Sequence, residues 1–236
     1  MPDIRDWAGC VRPGPTERCD TPHGYRTRGS SVCHKIQGPA SRKCGTLESV
    51  ESANLAPGLL LAMPQLADPN FARSVVLMIE HGEQGSFGLV INHPSPIRAA
   101  ELLDSLEMSW HGEDSAVVWA GGPVSPSTGW VLHEPIGIAQ AGGGGTIEIT
   151  SSISLSMSPE RLRALASQPP RNIRLLLGYS SWGPGQLAHE MARGAWLHTS
   201  VDPDLVFETP ADEIWATAMR SLGINPRDLF TGRGVN

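Results

Sequence analysis

Leu177-Gly-Tyr-Ser-Ser-Trp-Gly-Pro-Gly-Gln-Leu187 ends an apolar run in three glycines around one tryptophan, just before a helix-like segment. Glycine permits backbone torsions that other residues resist, and Pro184 pre-sets φ for a first helical position. The stretch predicts a built corner from strand to helix. Gly178-Tyr-Ser180-Ser-Trp182 matches a nucleophile elbow except at its last position, where the tight turn needs glycine and the chain has Trp182. Gly178 and Gly183 have the separation of a phosphate-binding loop, but Pro184 and Gly185 replace its lysine and its serine or threonine. Pro184 also removes one N–H donor from the helix start. Tyr179 and Trp182 read first as packing over the corner, with the glycines making room.

Outward from this corner, apolar runs alternate with turn residues. Gly58-Leu-Leu-Leu-Ala-Met63, ended by Pro64, reads as a short buried strand, and Asp68-Pro69 opens a loop or helical turn. The β-branched runs 74–81 and 86–92 flank Gly82-Glu-Gln-Gly85 and predict a hairpin. Helical spacing of Ile97, Leu102, Leu103 and Leu106 places a helix over 97–106. Strands are predicted over 116–120, 129–133 and 146–150, with a flexible glycine loop at 142–145. Ser158-Pro-Glu gives the next helix a cap, a first-position proline and an early acid, with Leu162 and Leu165 on its apolar face. A strand over 172–177, a helix over 186–193 closed by Gly194, and a strand over 195–198 follow. A final helix is capped at Thr209 and runs to Leu222. Hairpins and helices interleave irregularly, which fits the α+β class better than regular βαβ winding.

A chain of 236 residues, 40% hydrophobic and 18% charged, suits one globular domain with an appendage. No apolar run approaches the ~20 residues needed to cross a bilayer, and none near the start resembles a signal peptide. No membrane partner and a cytoplasmic location are therefore expected. Cys10, Cys19, Cys33 and Cys44 contain no Cys-x-x-Cys pair, so no metal, disulfide or cofactor site is expected from them. Residues 1–54 show neither a strand nor a helix period. They are expected to form a disordered tail, or an extension upstream of a true start near Leu47 or Val50. Residues 55–225 form the predicted domain, and residues 226–236 a C-terminal tail.

Charge divides the chain in the same place. From Leu55 onward there are 10 Arg, no Lys and 18 Asp plus Glu, a balance of −8, against 8 basic and 6 acidic residues before it. Lys and Arg contacts to phosphate supply much of DNA affinity, so direct DNA binding by the core is disfavoured. His189-Glu-Met-Ala-Arg193 has Arg where a zinc-protease helix needs its second histidine. Glu80-His81 and His133-Glu134 end strands; either pair would make an acid–base couple only if its geometry were right, and polar strand ends are the plainer reading. Asn92-His-Pro94 reads as a turn before it reads as a site.

Six short motifs occur in order: Leu-Leu-Ala-Met-Pro64; Asp68-Pro-Asn-Phe71 with Ser74-Val75; Glu80-His81; Gly88-Leu-Val-Ile-Asn92; Gly121-Gly-Pro-Val124; and the glycine–tryptophan corner itself. Trp196, Asp202-Pro203, Phe207 and Trp215 extend the series. Together they make the chain similar to the YqgE/AlgH family of bacterial proteins over about residues 55–225. The resemblance implies an α+β fold whose mixed, bifurcated sheet curls into a pseudo-barrel with helices packed outside. It implies no established reaction; one branch is named for regulation of alginate production and labelled a transcriptional regulator. The family commonly has Glu where Ala188 stands, Cys at Ile79 and Lys at His93, so redox or catalytic roles resting on those positions do not transfer.

The leading expectation is a cytosolic regulatory or binding protein of this type, non-enzymatic and linked to transcriptional regulation, whose partner is an unknown protein or small molecule. A hydrolase-like enzyme using Ser180 or Ser181 with a histidine is the first alternative, and a direct DNA-binding regulator the second. No catalytic residue is assigned. The candidate binding surface comprises Glu80, His81, Asn92, Gly121, Gly122, Tyr179, Trp182 and Gln186. What decides between packing and binding is whether Glu80, His81, Asn92 and Gln186 converge on one cavity.

Overall fold

A computed structural model describes residues 54–66, 68–136 and 145–229. The expectations for the N-terminal tail and its cysteines, for the alternative start, for the loop at 142–144 and for residues 230–236 lie outside the described residues. Within them the order is β1 (Gly58–Ala62), a 3-10 turn (Pro69–Phe71), β2 (Val75–Gly82), β3 (Gly85–Val90), β4 (Pro94–Arg98) and α1 (Ala99–Ser105). Next come β5 (Val117–Ala120), β6 (Val124–His133), β7 (Thr146–Thr150), β8 (Ile153–Ser156) and α2 (Pro159–Ser167). The chain continues through β9 (Ile173–Trp182), α3 (Gln186–Ala192), β10 (Trp196–Thr199), α4 (Pro203–Phe207) and α5 (Ala211–Ser221). This is an α+β fold.

The ten strands form one sheet that does not close, in the order β10-β1-β2-β3-β9-β6-β8-β7, with β5 also on β9 and β4 on β5. The sheet is mixed because β5 runs parallel to β9 while the other described pairings are antiparallel. It is bifurcated at β9. Leu175, Leu176 and Leu177 pair with β5, whereas Ser180, Ser181 and Trp182 pair with β3 along the same edge. Gly121 stitches the fork: its N–H donates to the Leu177 carbonyl at 2.7 Å and its own carbonyl accepts from Val90 N–H at 2.8 Å.

Alternation along the strands sends side chains to two faces. One face, including Leu59, Leu61, Val75, Leu77, Leu89, Trp130, Leu132 and Leu176, shares a cluster with Leu205 and Val206 of α4 and with Ile214, Trp215, Ala218 and Met219 of α5. On the other face, Leu60, Val76, Val90, Trp182 and Trp196 pack with Leu187 of α3. Farther along that face, Val131 and Leu175 meet Ala99 and Leu103 of α1 and Leu162, Leu165 and Ala166 of α2. Strand β1 is buried along its whole length because it lies between two neighbours with both faces covered.

Several local expectations need correction. The strand predicted over 172–177 runs on to Trp182, because Gly178 adopts φ +74° and β3 takes over the pairing beyond it. The corner therefore shrinks to Gly183-Pro184-Gly185, and Pro184 precedes the N-cap Gly185 rather than occupying the first helical position. Thr209 does not cap α5; its hydroxyl donates to the Asp204 carbonyl at 3.0 Å, and Pro210 takes the cap position without a side-chain bond. Asn92-His-Pro94 leads directly into β4, so α1 starts at Ala99 and Ile97 is 40% exposed instead of joining the helix's buried face. Strand β6 starts at Val124 rather than Gly129. The hairpin, by contrast, forms as its glycines require, with Gly82 opposite Gly85 and Gly85 at φ +131°. Ser158 also caps α2 as its sequence implies, accepting from Arg161 N–H at 3.2 Å.

Candidate functional site

The corner is built around Glu190, which stands one turn beyond Gln186 on α3, where i and i+4 side chains meet. One carboxylate oxygen of Glu190 accepts from the indole N–H of Trp182 at 3.0 Å and of Trp196 at 2.8 Å; the other accepts from the Gln186 amide at 2.9 Å. The Gln186 side-chain oxygen in turn accepts from Gly183 N–H at 3.0 Å, which closes the turn. Trp182 and Trp196 are nearly fully buried and meet edge to face at 5.7 Å, with Phe71 stacked 6.2 Å from Trp182. Trp182 and Gln186 thus have their polar groups engaged within the fold. Tyr179 points to the opposite face of β9, against Phe87 and Trp130.

Gly121 and Gly122 belong to the fork. Gly122 sits at φ +149°, and a Cβ there would run into the Tyr179 backbone. A Cβ at Gly178 would strike the Gly122 carbonyl, and one at Gly121 the Gly178 carbonyl. Two stretches of backbone, 121–122 and 178–179, approach so closely that side chains have no room.

The remaining candidates separate. His81 bonds Ser86 across the hairpin, 2.7 Å from Nδ1 to Oγ. Glu80 is exposed and lines a cleft of about 410 Å³ with Glu83, Ser181 and Trp182, a cleft lined by neither histidine nor cation. Asn92 lines a different cleft of about 360 Å³ with Arg73, His93, Asp212, Trp215 and Arg227. Of these two clefts, Glu80 lines one and Asn92 the other, while His81 and Gln186 line neither.

The AlgH-like family model matches residues 59–227. The chain belongs to the AlgH-like family. A UPF0301 protein of Myxococcus xanthus is 42% identical over 184 residues, covering 78% of this chain and 99% of the relative. A UPF0301 protein of an Anaeromyxobacter species is 41% identical over 196 residues, covering 80% and 98%. The solution structure of the AlgH protein from Pseudomonas aeruginosa superposes with a TM-score of 0.62 at 35% identity, covering 80% of this chain and all of that one. A crystal structure of a Corynebacterium diphtheriae protein superposes at 0.57 with 25% identity, covering 74% and 89%.

Strand β9 of this AlgH-like domain carries both corner serines. Ser180 is completely buried and its hydroxyl faces the Gly121 carbonyl at 3.4 Å. Ser181 is exposed, on the cleft without a histidine. Sequence reasoning missed a different serine–histidine pair. His133, 0% exposed, points Nδ1 at the Glu134 carbonyl (2.7 Å) and Nε2 at Ser156 Oγ (2.9 Å). A carbonyl only accepts, so Nδ1 carries the proton, Nε2 accepts from Ser156, and Thr146 Oγ1 donates to Ser156 at 2.7 Å. Burial pushes the His133 pKa below its ordinary value, with the Glu134 carbonyl opposing and Arg161 reinforcing the shift. Ser156 is 1% exposed, so the pair is an internal polar clamp joining β6, β7 and β8.

A buried cation was also missed. Arg174 donates to the Ile91 carbonyl and lies 3.9 Å from the centroid of Trp119. Burial lowers its pKa to about 10, which still leaves it charged at neutral pH. Among the described residues no group of histidine, cysteine and acidic side chains is placed to hold a metal ion, and no helix is long and apolar enough to cross a membrane.

Proposed function

We propose that this protein acts in the cytosol as a non-enzymatic binding protein with a regulatory role, engaging a small molecule or a protein partner and reaching transcription indirectly. The observation that carries the reading is the placement of the two serines the hydrolase alternative requires. Ser180 is sealed beneath Gly121, and Ser181 faces a cleft that brings it no imidazole. A serine nucleophile needs a base within hydrogen-bond reach. The −8 balance of residues 55–236 supports an indirect route to transcription over contact with DNA.

A fluorophosphonate probe and a thermal-shift screen test the reading together. The expected outcome is no labelling of Ser180 or Ser181 and a raised Tm with at least one small molecule or captured protein. Stoichiometric labelling of Ser181 with turnover of an ester substrate would overturn it. A gel shift at moderate salt, made with the −8 core, is expected to show weak retardation without sequence preference; tight and specific binding would favour the DNA reading instead.

A further inference from the structure

Arg73 is not a glycine, yet it sits at φ +54°, in the left-handed region that L side chains resist. Buried Asn92 holds it there. The Asn92 amide donates to the Arg73 carbonyl at 2.9 Å, and its oxygen accepts from Val75 N–H at 2.8 Å, so one side chain clamps the turn on both sides. The result of this conformation is that the Arg73 guanidinium lies over the Trp215 ring, 6.0 Å from its centroid, at the edge of the 360 Å³ cleft.

The same cleft receives Arg227 from the turn after α5 and His93 from just before β4, with Asp212 as the carboxylate among its lining residues. Two of the core's 10 arginines therefore face one small space on a domain whose balance is −8. The Trp215 indole N–H already donates to the Ala62 carbonyl at 2.8 Å, which fixes the ring as an apolar floor. The volume lies at the small end of the roughly 300–1,000 Å³ range of ligand clefts. Planar guanidinium groups present paired N–H donors that match the oxygens of a carboxylate or phosphate.

We propose that this cleft is a binding site for a small oxyanion-bearing molecule, held by Arg73 and Arg227 over Trp215. The inference rests on the reading of the protein as a binding protein and names the chemistry of its ligand. Asn92 is then a positioning residue, acting through the backbone of Arg73. His93 completes the wall as a neutral imidazole whose ring bonds the Ala72 carbonyl; its pKa is lowered by burial.

Isothermal titration of the full chain with orthophosphate and with acetate, at fixed ionic strength set by chloride, tests the site and separates phosphate from carboxylate. Saturable binding of at least one anion is expected, weakened about tenfold by Arg227→Gln, as loss of a charge-assisted contact implies. Arg73→Gly is expected to weaken binding to a similar extent without lowering Tm, because glycine accepts the left-handed torsion. Asp212→Asn is expected to tighten binding. Absence of saturable binding by both anions overturns the inference, as does binding that both arginine variants leave intact. If the thermal-shift screen finds a neutral ligand while both anions fail, this inference falls and the wider binding reading stands. Labelling of Ser181 overturns the wider reading independently of the titration.

Discussion

At the corner after β9, the carboxylate of Glu190 collects two indole N–H groups and an amide, and the amide's oxygen closes the turn. At the cleft beside α5, Arg73, His93, Asp212 and Arg227 arrive from separate segments and face a common space. The first region closes a turn between neighbouring segments; the second draws charged side chains from distant segments to one surface cleft. A dense motif in sequence marks the place where backbone approach and burial are most demanding. That is a requirement of folding, and it need not coincide with chemistry.

The largest effect is expected from substituting the glycines of the fork. Gly122→Ala and Gly178→Ala each place a Cβ against backbone at a positive φ, and a loss of more than about 3 kcal/mol is expected in urea unfolding. A mild effect would mean that the two stretches of backbone can separate. Glu190→Ala should come next, at about 2–4 kcal/mol, because it orphans the N–H groups of two buried indoles. Glu190→Gln should cost less, since an amide oxygen still accepts. Unchanged stability in Glu190→Ala would mean that the carboxylate does not hold the corner together.

A smaller effect is set by pH. The folded-state pKa values of His133 and His93 both lie below the ordinary value of about 6.5, so the unfolded chain binds more protons between the two values. Stability should be level above about pH 6.5 and fall as pH drops from there toward the folded-state values. Tm measured from pH 7.5 to 5 checks this, and His133→Asn, which keeps a donor near Nδ1, should flatten part of the slope. A Tm that rises on acidification would contradict the buried neutral imidazole. The smallest effect belongs to the cleft: Arg73→Gly should change stability by less than about 1 kcal/mol, relief of the left-handed torsion offsetting the lost contact with Trp215.

Legibility in the sequence followed the same division. The hairpin of β2 and β3 and the cap of α2 were readable because turn glycines, β-branched runs and Ser158-Pro159 act locally. The extension of β9 was not, because Gly178 punctuates the run and only the neighbouring fork keeps the strand going beyond it. Strand β8 escaped notice because it is four residues long and carries Ser154 and Ser156 inward, Ser156 toward His133. Helix α4 is five residues, barely more than a turn. The family pattern nevertheless announced the mixed, bifurcated α+β architecture. Of the candidate surface, Asn92 alone reached the charged cleft. Arg73, Asp212, Trp215 and Arg227 share no spacing rule, and the left-handed torsion of Arg73 has no signature in its residue type.

We propose that the corner is scaffold and that ligand binds in the Arg73 cleft. The tryptophan indole N–H resonances test it in one experiment, a titration of the isotopically labelled chain with orthophosphate and then acetate. The Trp215 signal should move and saturate while those of Trp182 and Trp196 stay fixed. Movement of Trp182 and Trp196 with Trp215 unmoved would contradict it.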